Sequence, residues 1–152
     1  MRGEESILNA GVKLYQYLMK QDYVDEKQIY VMGYSYGTGI AAYVASKCPC
    51  QKLVLVAPYR NSADMYNRYT PIYYGPMTLW LTENFKTEDY AKNISAETLL
   101  ITSDGDQTLS KKFAYDLQEV FQKAQVKEYK EVTHDSYFKQ SKILVEIQNF
   151  FK

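Results

Sequence analysis

The chain has 152 residues, a length that suits one domain with a buried core. Its 18 basic and 18 acidic residues cancel and no basic stripe stands out, which argues against a nucleic-acid partner. The longest apolar run, Leu53-Val54-Leu55-Val56-Ala57, is far too short to span a membrane. Met1-Arg2-Gly3-Glu4-Glu5 begins an acidic helix rather than the apolar segment of a signal peptide, so a cytoplasmic protein is expected.

In chain order, Glu4 to Lys20 carries Ile7, Leu8, Val12, Tyr15, Leu18 and Met19 at helical spacing, with Glu4 and Glu5 in the first turn and Lys20 in the last. Gln28 to Met32 reads as the first strand. Thr38 to Ser46 reads as a helix whose Gly39 and Ala41 would allow close packing on a sheet. Cys48 and Cys50 flank Pro49. That is neither a redox nor a zinc spacing, and one histidine cannot complete a ligand set, so reduced thiols, no metal and no cofactor are expected. Lys52 to Ala57 is nearly all apolar, as in a parallel strand covered on both faces. Residues 58–92 change character, with Pro58, Pro71 and Pro76, many aromatics and weak periodicity. Glu97 to Thr102 is the third strand. Ser110 is expected to cap a helix bearing Phe113, Ala114, Leu117, Val120, Phe121 and Ala124 on one face. Val126 to Val132 is more polar, as an edge strand should be. Ser141 is expected to cap a last helix with Ile143, Leu144, Ile147, Phe150 and Phe151 inward. Strands alternating with helices predict an α/β domain with a parallel sheet and helices on both faces.

Gly33-Tyr34-Ser35-Tyr36-Gly37 lies between the first strand and the helix after it. A serine there sits on a tight turn that pushes its hydroxyl out at the top of a sheet, and both flanking glycines are expected to be steric requirements. Such a serine needs a base, and the only histidine, His134, lies downstream of two candidate acids, Asp104 and Asp106. Ligands bind at the carboxyl ends of parallel strands. Ser35 follows the first strand, Asp104 and Asp106 the third, and His134 the fourth, so all fall on one edge of the sheet. The sixteen tyrosines fit either half-buried strands or an aromatic-lined pocket. Tyr59, Tyr73, Tyr74 and Trp80 suggest an apolar or aromatic acyl group.

This arrangement resembles the α/β-hydrolase fold, and within it the small bacterial hydrolases that include serine aminopeptidase-like, monoglyceride-lipase-like and carboxylesterase-like members. Gly33 to Gly37 matches the nucleophile elbow. Leu99-Leu100-Ile101-Thr102-Ser103-Asp104-Gly105-Asp106 resembles the strand and turn that deliver the acid, and Thr133-His134-Asp135-Ser136-Tyr137-Phe138 resembles the histidine loop. The resemblance implies Ser35 as nucleophile, Asp106 as acid with Asp104 in reserve, His134 as base, and the Tyr36 backbone N–H as oxyanion donor. It implies one domain over residues 1–152 with a cap-like insertion around 58–92.

The four strands resemble the family's last four, so the resemblance also implies that the earlier strands, and with them the loop giving the second oxyanion donor, are missing from this chain, an N-terminally truncated domain. Loss of one such donor typically costs about 10²–10³ in turnover. The elbow strand would neighbour one of the earlier strands, leaving residues 28–32 as an apolar edge open to self-association. The expected function is a serine hydrolase acting on esters, thioesters or amides. The alternative is a non-catalytic remnant acting as an interaction domain.

Overall fold

The computed structural model describes residues 3–67, 75–80 (side chains to 77) and 84–152. The elements are α1 (Gly3–Leu18), β1 (Tyr30–Tyr34), α2 (Gly37–Lys47), β2 (Lys52–Val56), α3 (Ser62–Asn67), α4 (Thr87–Ala91), β3 (Glu97–Ser103), α5 (Lys112–Gln118), β4 (Ala124–Tyr129) and α6 (Ser141–Phe151). Short 3₁₀ turns occupy Glu26–Gln28, Gly75–Trp80 and His134–Lys139. The strands form one four-stranded sheet in the order β1-β2-β3-β4, every neighbouring pair parallel.

The near-continuous apolar strands owe their composition to burial on both faces. Successive side chains of a strand point to opposite sides. Val54 and Val56 of β2, with Leu99 and Ile101 of β3, join the core cluster that includes Ile143 and Ile147 of α6. Leu53, Leu55 and Leu100 join the opposite cluster with Ala41, Ala42 and Ala45 of α2 and Ala114 and Leu117 of α5. Each such side chain fully removed from water contributes roughly 1.5–3 kcal/mol, so β2 and β3 are the thermodynamic centre of the sheet.

β1 is an edge strand, with Tyr30 36% and Met32 49% exposed. Beside it an apolar groove of about 420 Å³ runs between β1, α1 and α2, lined among others by Leu14, Leu18, Met32 and Ile40. Only Leu8 of α1 is buried. Among the described residues no helix is long and apolar enough to cross a membrane.

Several boundaries differ from the sequence reading. α1 ends at Leu18, so Lys20 falls beyond its last turn. β1 covers Tyr30–Tyr34 rather than 28–32, because its register against Lys52–Val56 draws Gly33 and Tyr34 into the ladder. α5 ends at Gln118. Phe121 still reaches the core, but from a turn, and Ala124 opens β4, which ends at Tyr129. Ser141 is the first residue of α6 and does not cap it. Both cysteines are free thiols. Tyr73 and Tyr74 and the side chain of Trp80 lie outside the described residues.

Candidate active site

Ser35 has φ of 50°, a left-handed conformation that costs a non-glycine residue about 1–3 kcal/mol. The turn is held from both ends. Ser35 N–H donates to the Val56 carbonyl at the end of β2 (2.9 Å). The Ser35 carbonyl accepts from Thr38 N–H (2.9 Å) and the Thr38 hydroxyl (2.6 Å) in the first turn of α2. The two elbow glycines are not equivalent. A Cβ on Gly33 would lie 2.6 Å from the Gly37 carbonyl oxygen and 2.8 Å from Thr38 Cα, whereas a Cβ on Gly37 would meet nothing within 4 Å. The expectation that both are steric requirements holds at Gly33 and fails at Gly37, which borders the open groove beside β1.

Ser35 Oγ lies 2.8 Å from His134 Nε2, and His134 Nδ1 lies 2.8 Å from Asp106 Oδ2. An ionised carboxylate can only accept, so Nδ1 carries the proton and Nε2 is left to accept from the serine hydroxyl. The Asp106 side chain is fully buried and that of His134 is 16% exposed. A buried carboxylate must find donors. Asp106 Oδ1 accepts from Thr108 N–H (2.8 Å) and Leu109 N–H (2.9 Å), an Asx turn that fixes its direction. Oδ2 accepts in addition from the Tyr137 hydroxyl (3.1 Å).

Asp104 goes elsewhere. It is exposed, and its Oδ1 accepts from Glu131 N–H (2.7 Å), so of the two candidate acids only Asp106 reaches the imidazole. The loops carrying Asp106 and His134 are clamped together. Ser103 Oγ accepts from both Gly105 N–H and Val132 N–H (3.0 Å each). Gly105 lies so close under Glu131 that a Cβ would sit 2.6 Å from its carbonyl carbon, which leaves room for glycine alone.

Tyr34 ties the elbow to the histidine. Its hydroxyl donates to the His134 carbonyl (2.6 Å), and its ring stacks on the imidazole with centroids 5.4 Å apart. Burial, then Asp135 and Asp106, pushes the Tyr34 phenol above its ordinary value, so it remains a donor. Tyr36 is the residue before α2, and its carbonyl accepts from the Tyr59 hydroxyl (3.0 Å). Tyr59 is fully buried, so the expectation that it marks an acyl pocket is overturned: it props the elbow from beneath. Among the described residues no group of histidine, cysteine and carboxylate side chains could hold a metal ion.

The prolyl oligopeptidase family model matches residues 8–152. The chain belongs to the prolyl oligopeptidase family. No curated protein sequence matches it. Among solved structures it is similar to acetyl xylan esterase 1 from Thermoanaerobacterium sp. JW/SL YS485, with 18% identity and a TM-score of 0.72 over 95% of this chain and 50% of that one. An acetyl xylan esterase from Paenibacillus sp. R4 gives 17% identity and a TM-score of 0.75 over 95% and 51%. The acylaminoacyl peptidase of Pyrococcus horikoshii gives 15% and 0.66 over 91% and 25%. At such identities the likeness establishes the fold, an α/β-hydrolase fold. The chain spans about half the length of these esterases.

Sequence reasoning missed Tyr34, Ser103 and Tyr137. Tyr34 was visible only as a variable position of the elbow. Tyr137 carried a signal: side chains at i and i+3 of a 3₁₀ turn eclipse, so Tyr137 faces the same way as His134 once that turn is known.

Proposed function

We propose that this protein is a serine hydrolase that cleaves carboxylic ester, thioester or amide bonds through an acyl-enzyme on Ser35. The observation that carries this is the unbroken series Ser35 Oγ, His134 Nε2, His134 Nδ1, Asp106 Oδ2, with both contacts 2.8 Å long and the serine in a left-handed turn. The family, and the likeness to an acetyl xylan esterase and an acylaminoacyl peptidase, support the reaction class.

Ser35 Oγ attacks the acyl carbonyl while His134 Nε2 takes its proton. The Asp106 carboxylate holds the Nδ1–H tautomer and stabilises the imidazolium. Tyr36 N–H, at the N-terminal end of α2, donates to the developing oxyanion. His134 then returns the proton to the leaving group, which departs and leaves Ser35 acylated. Water, deprotonated by the same nitrogen, cleaves the acyl-enzyme and restores the serine. The second reading, a non-catalytic interaction domain, is favoured by one feature: among the described residues a single oxyanion donor, the Tyr36 N–H, is assigned.

A fluorophosphonate probe separates the two. Ser35 is expected to be labelled in the folded protein and to lose labelling in Ser35→Ala. Absence of labelling, beside a known serine hydrolase that labels under the same conditions, would remove the enzyme reading for this chain.

A further inference from the structure

Asp106 has more partners than its role toward the imidazole requires. Its Oδ1 is already fixed by two backbone amides, yet Oδ2 is shared between His134 Nδ1 at 2.8 Å and the Tyr137 hydroxyl at 3.1 Å. Tyr137 is 1% exposed and belongs to the core cluster with Val132 and Ile143. If packing alone explained the ring, its hydroxyl could end on a backbone carbonyl, as that of the equally buried Tyr59 does. Instead it ends on the one carboxylate oxygen that faces the histidine.

The chemistry of that contact is directional. A phenol donating to a carboxylate makes a charge-assisted hydrogen bond, and in a buried setting it is stronger than the same bond in water. Burial first, then the Asp106 charge, pushes the Tyr137 phenol far above its ordinary value, with Thr102 acting the other way, so the group stays protonated and donating. From the far side Tyr34 holds the His134 carbonyl and stacks on the ring. The imidazole is thus gripped at its backbone by one tyrosine, while its carboxylate partner is gripped by another.

We propose that Tyr137 is a positioning residue: its hydroxyl holds Asp106 Oδ2 on the line to His134 Nδ1 and shares that oxygen's charge, so that Nε2 is presented to Ser35. The kinetic consequence rests on the serine-hydrolase reading; the geometric one does not. Without the hydroxyl, Oδ1 keeps its amides. Oδ2 then has a single donor and is free to draw the imidazole closer or to swing away from it.

The test is Tyr137→Phe, which keeps the ring. The chain has one histidine, so its hydrogen-bonded Nδ1–H gives one far-downfield proton NMR resonance, readable without substrate. That resonance is expected to shift, or to broaden through faster exchange with water. With an activated p-nitrophenyl ester, kcat is expected to fall about 5- to 20-fold while KM stays within about twofold, the pattern of lost transition-state stabilisation. On an Asp106→Asn background the same change is expected to cost fluorophosphonate labelling nothing further, because residues acting through one another are not additive. Should the Phe variant not fold, Tyr137→Met, also without a donor and able to fill irregular gaps, takes its place. An unchanged resonance with kcat within about twofold of the parent would make Tyr137 a core residue only and overturn the proposal. A shifted resonance in a protein whose Ser35 never labels would leave it standing and remove the hydrolase reading instead.

Discussion

The Asp106 carboxylate meets donors from Thr108, Leu109, His134 and Tyr137, while the outer side of β1 faces no other strand among the described residues. The same contrast runs through the glycines. Gly105 is pressed against the backbone of Glu131, whereas Gly37 looks into open space. The loops that carry Asp106 and His134 are therefore fixed by redundant local contacts, while β1, which leads into Ser35, pairs with a strand on one side only, β2. Losses on the acid side should be chemical and specific. Losses on the nucleophile side should depend on which way a substitution points.

The largest effect is expected at the acid. Asp106→Asn would present an amide N–H to His134 Nδ1, favour the wrong tautomer and lower kcat about 10⁴-fold. Asp104→Asn should stay within about threefold of the parent, since an asparagine oxygen still accepts from Glu131 N–H and a surface change away from the imidazole costs little. Turnover of a p-nitrophenyl ester by the two variants checks this. Comparable losses at both positions would mean that the acid loop, rather than one carboxylate, is what the histidine needs.

A stability contrast comes next. Gly33→Ala would drive a Cβ into backbone atoms of Gly37 and Thr38, which cannot swing aside, and should destabilise by about 1–3 kcal/mol. Gly37→Ala meets nothing, and in the first turn of α2 it should be neutral or gain up to about 1 kcal/mol from helix propensity. Chemical denaturation of both variants reads the difference. Equal costs would show that the turn needs glycine for reasons other than space.

What could be read from the sequence follows the same division. β2 and β3 were legible almost to the residue, because burial on both faces demands unbroken apolar runs such as Leu53 to Val56. The turn at Gly33 to Gly37 was legible because its demand is local, a strand that ends in a tight turn and opens a helix. The ends of α5 and the start of β4 were not: Phe121 and Ala124 keep helical spacing, and only pairing with β3 draws Ala124 into the sheet. The choice between Asp104 and Asp106 also needed three dimensions, since Asp-Gly-Asp does not say which carboxylate turns inward. Tyr34 and Tyr137 act on residues about 100 and about 30 positions away, a distance at which no spacing rule speaks.

The smallest expected effect on stability, and the one that bears on the open side, concerns β1 itself. Its run Tyr30-Val31-Met32-Gly33-Tyr34 carries no charge and no proline to blunt the edge, and Met32 is 49% exposed. We propose that copies of the chain associate along this strand, since an unprotected edge offers unpaired backbone groups to another strand. Met32→Lys points a charge outward and should alter unfolding by no more than about 0.5 kcal/mol. It should nevertheless abolish a concentration-dependent rise in mass measured by light scattering or sedimentation. If the parent protein is a monomer at every concentration, the edge does not drive association, and the groove beside it is tolerated as open surface. If the lysine variant associates as the parent does, the contact lies elsewhere. Either result would confine the asymmetry between the two sides of the site to its chemistry.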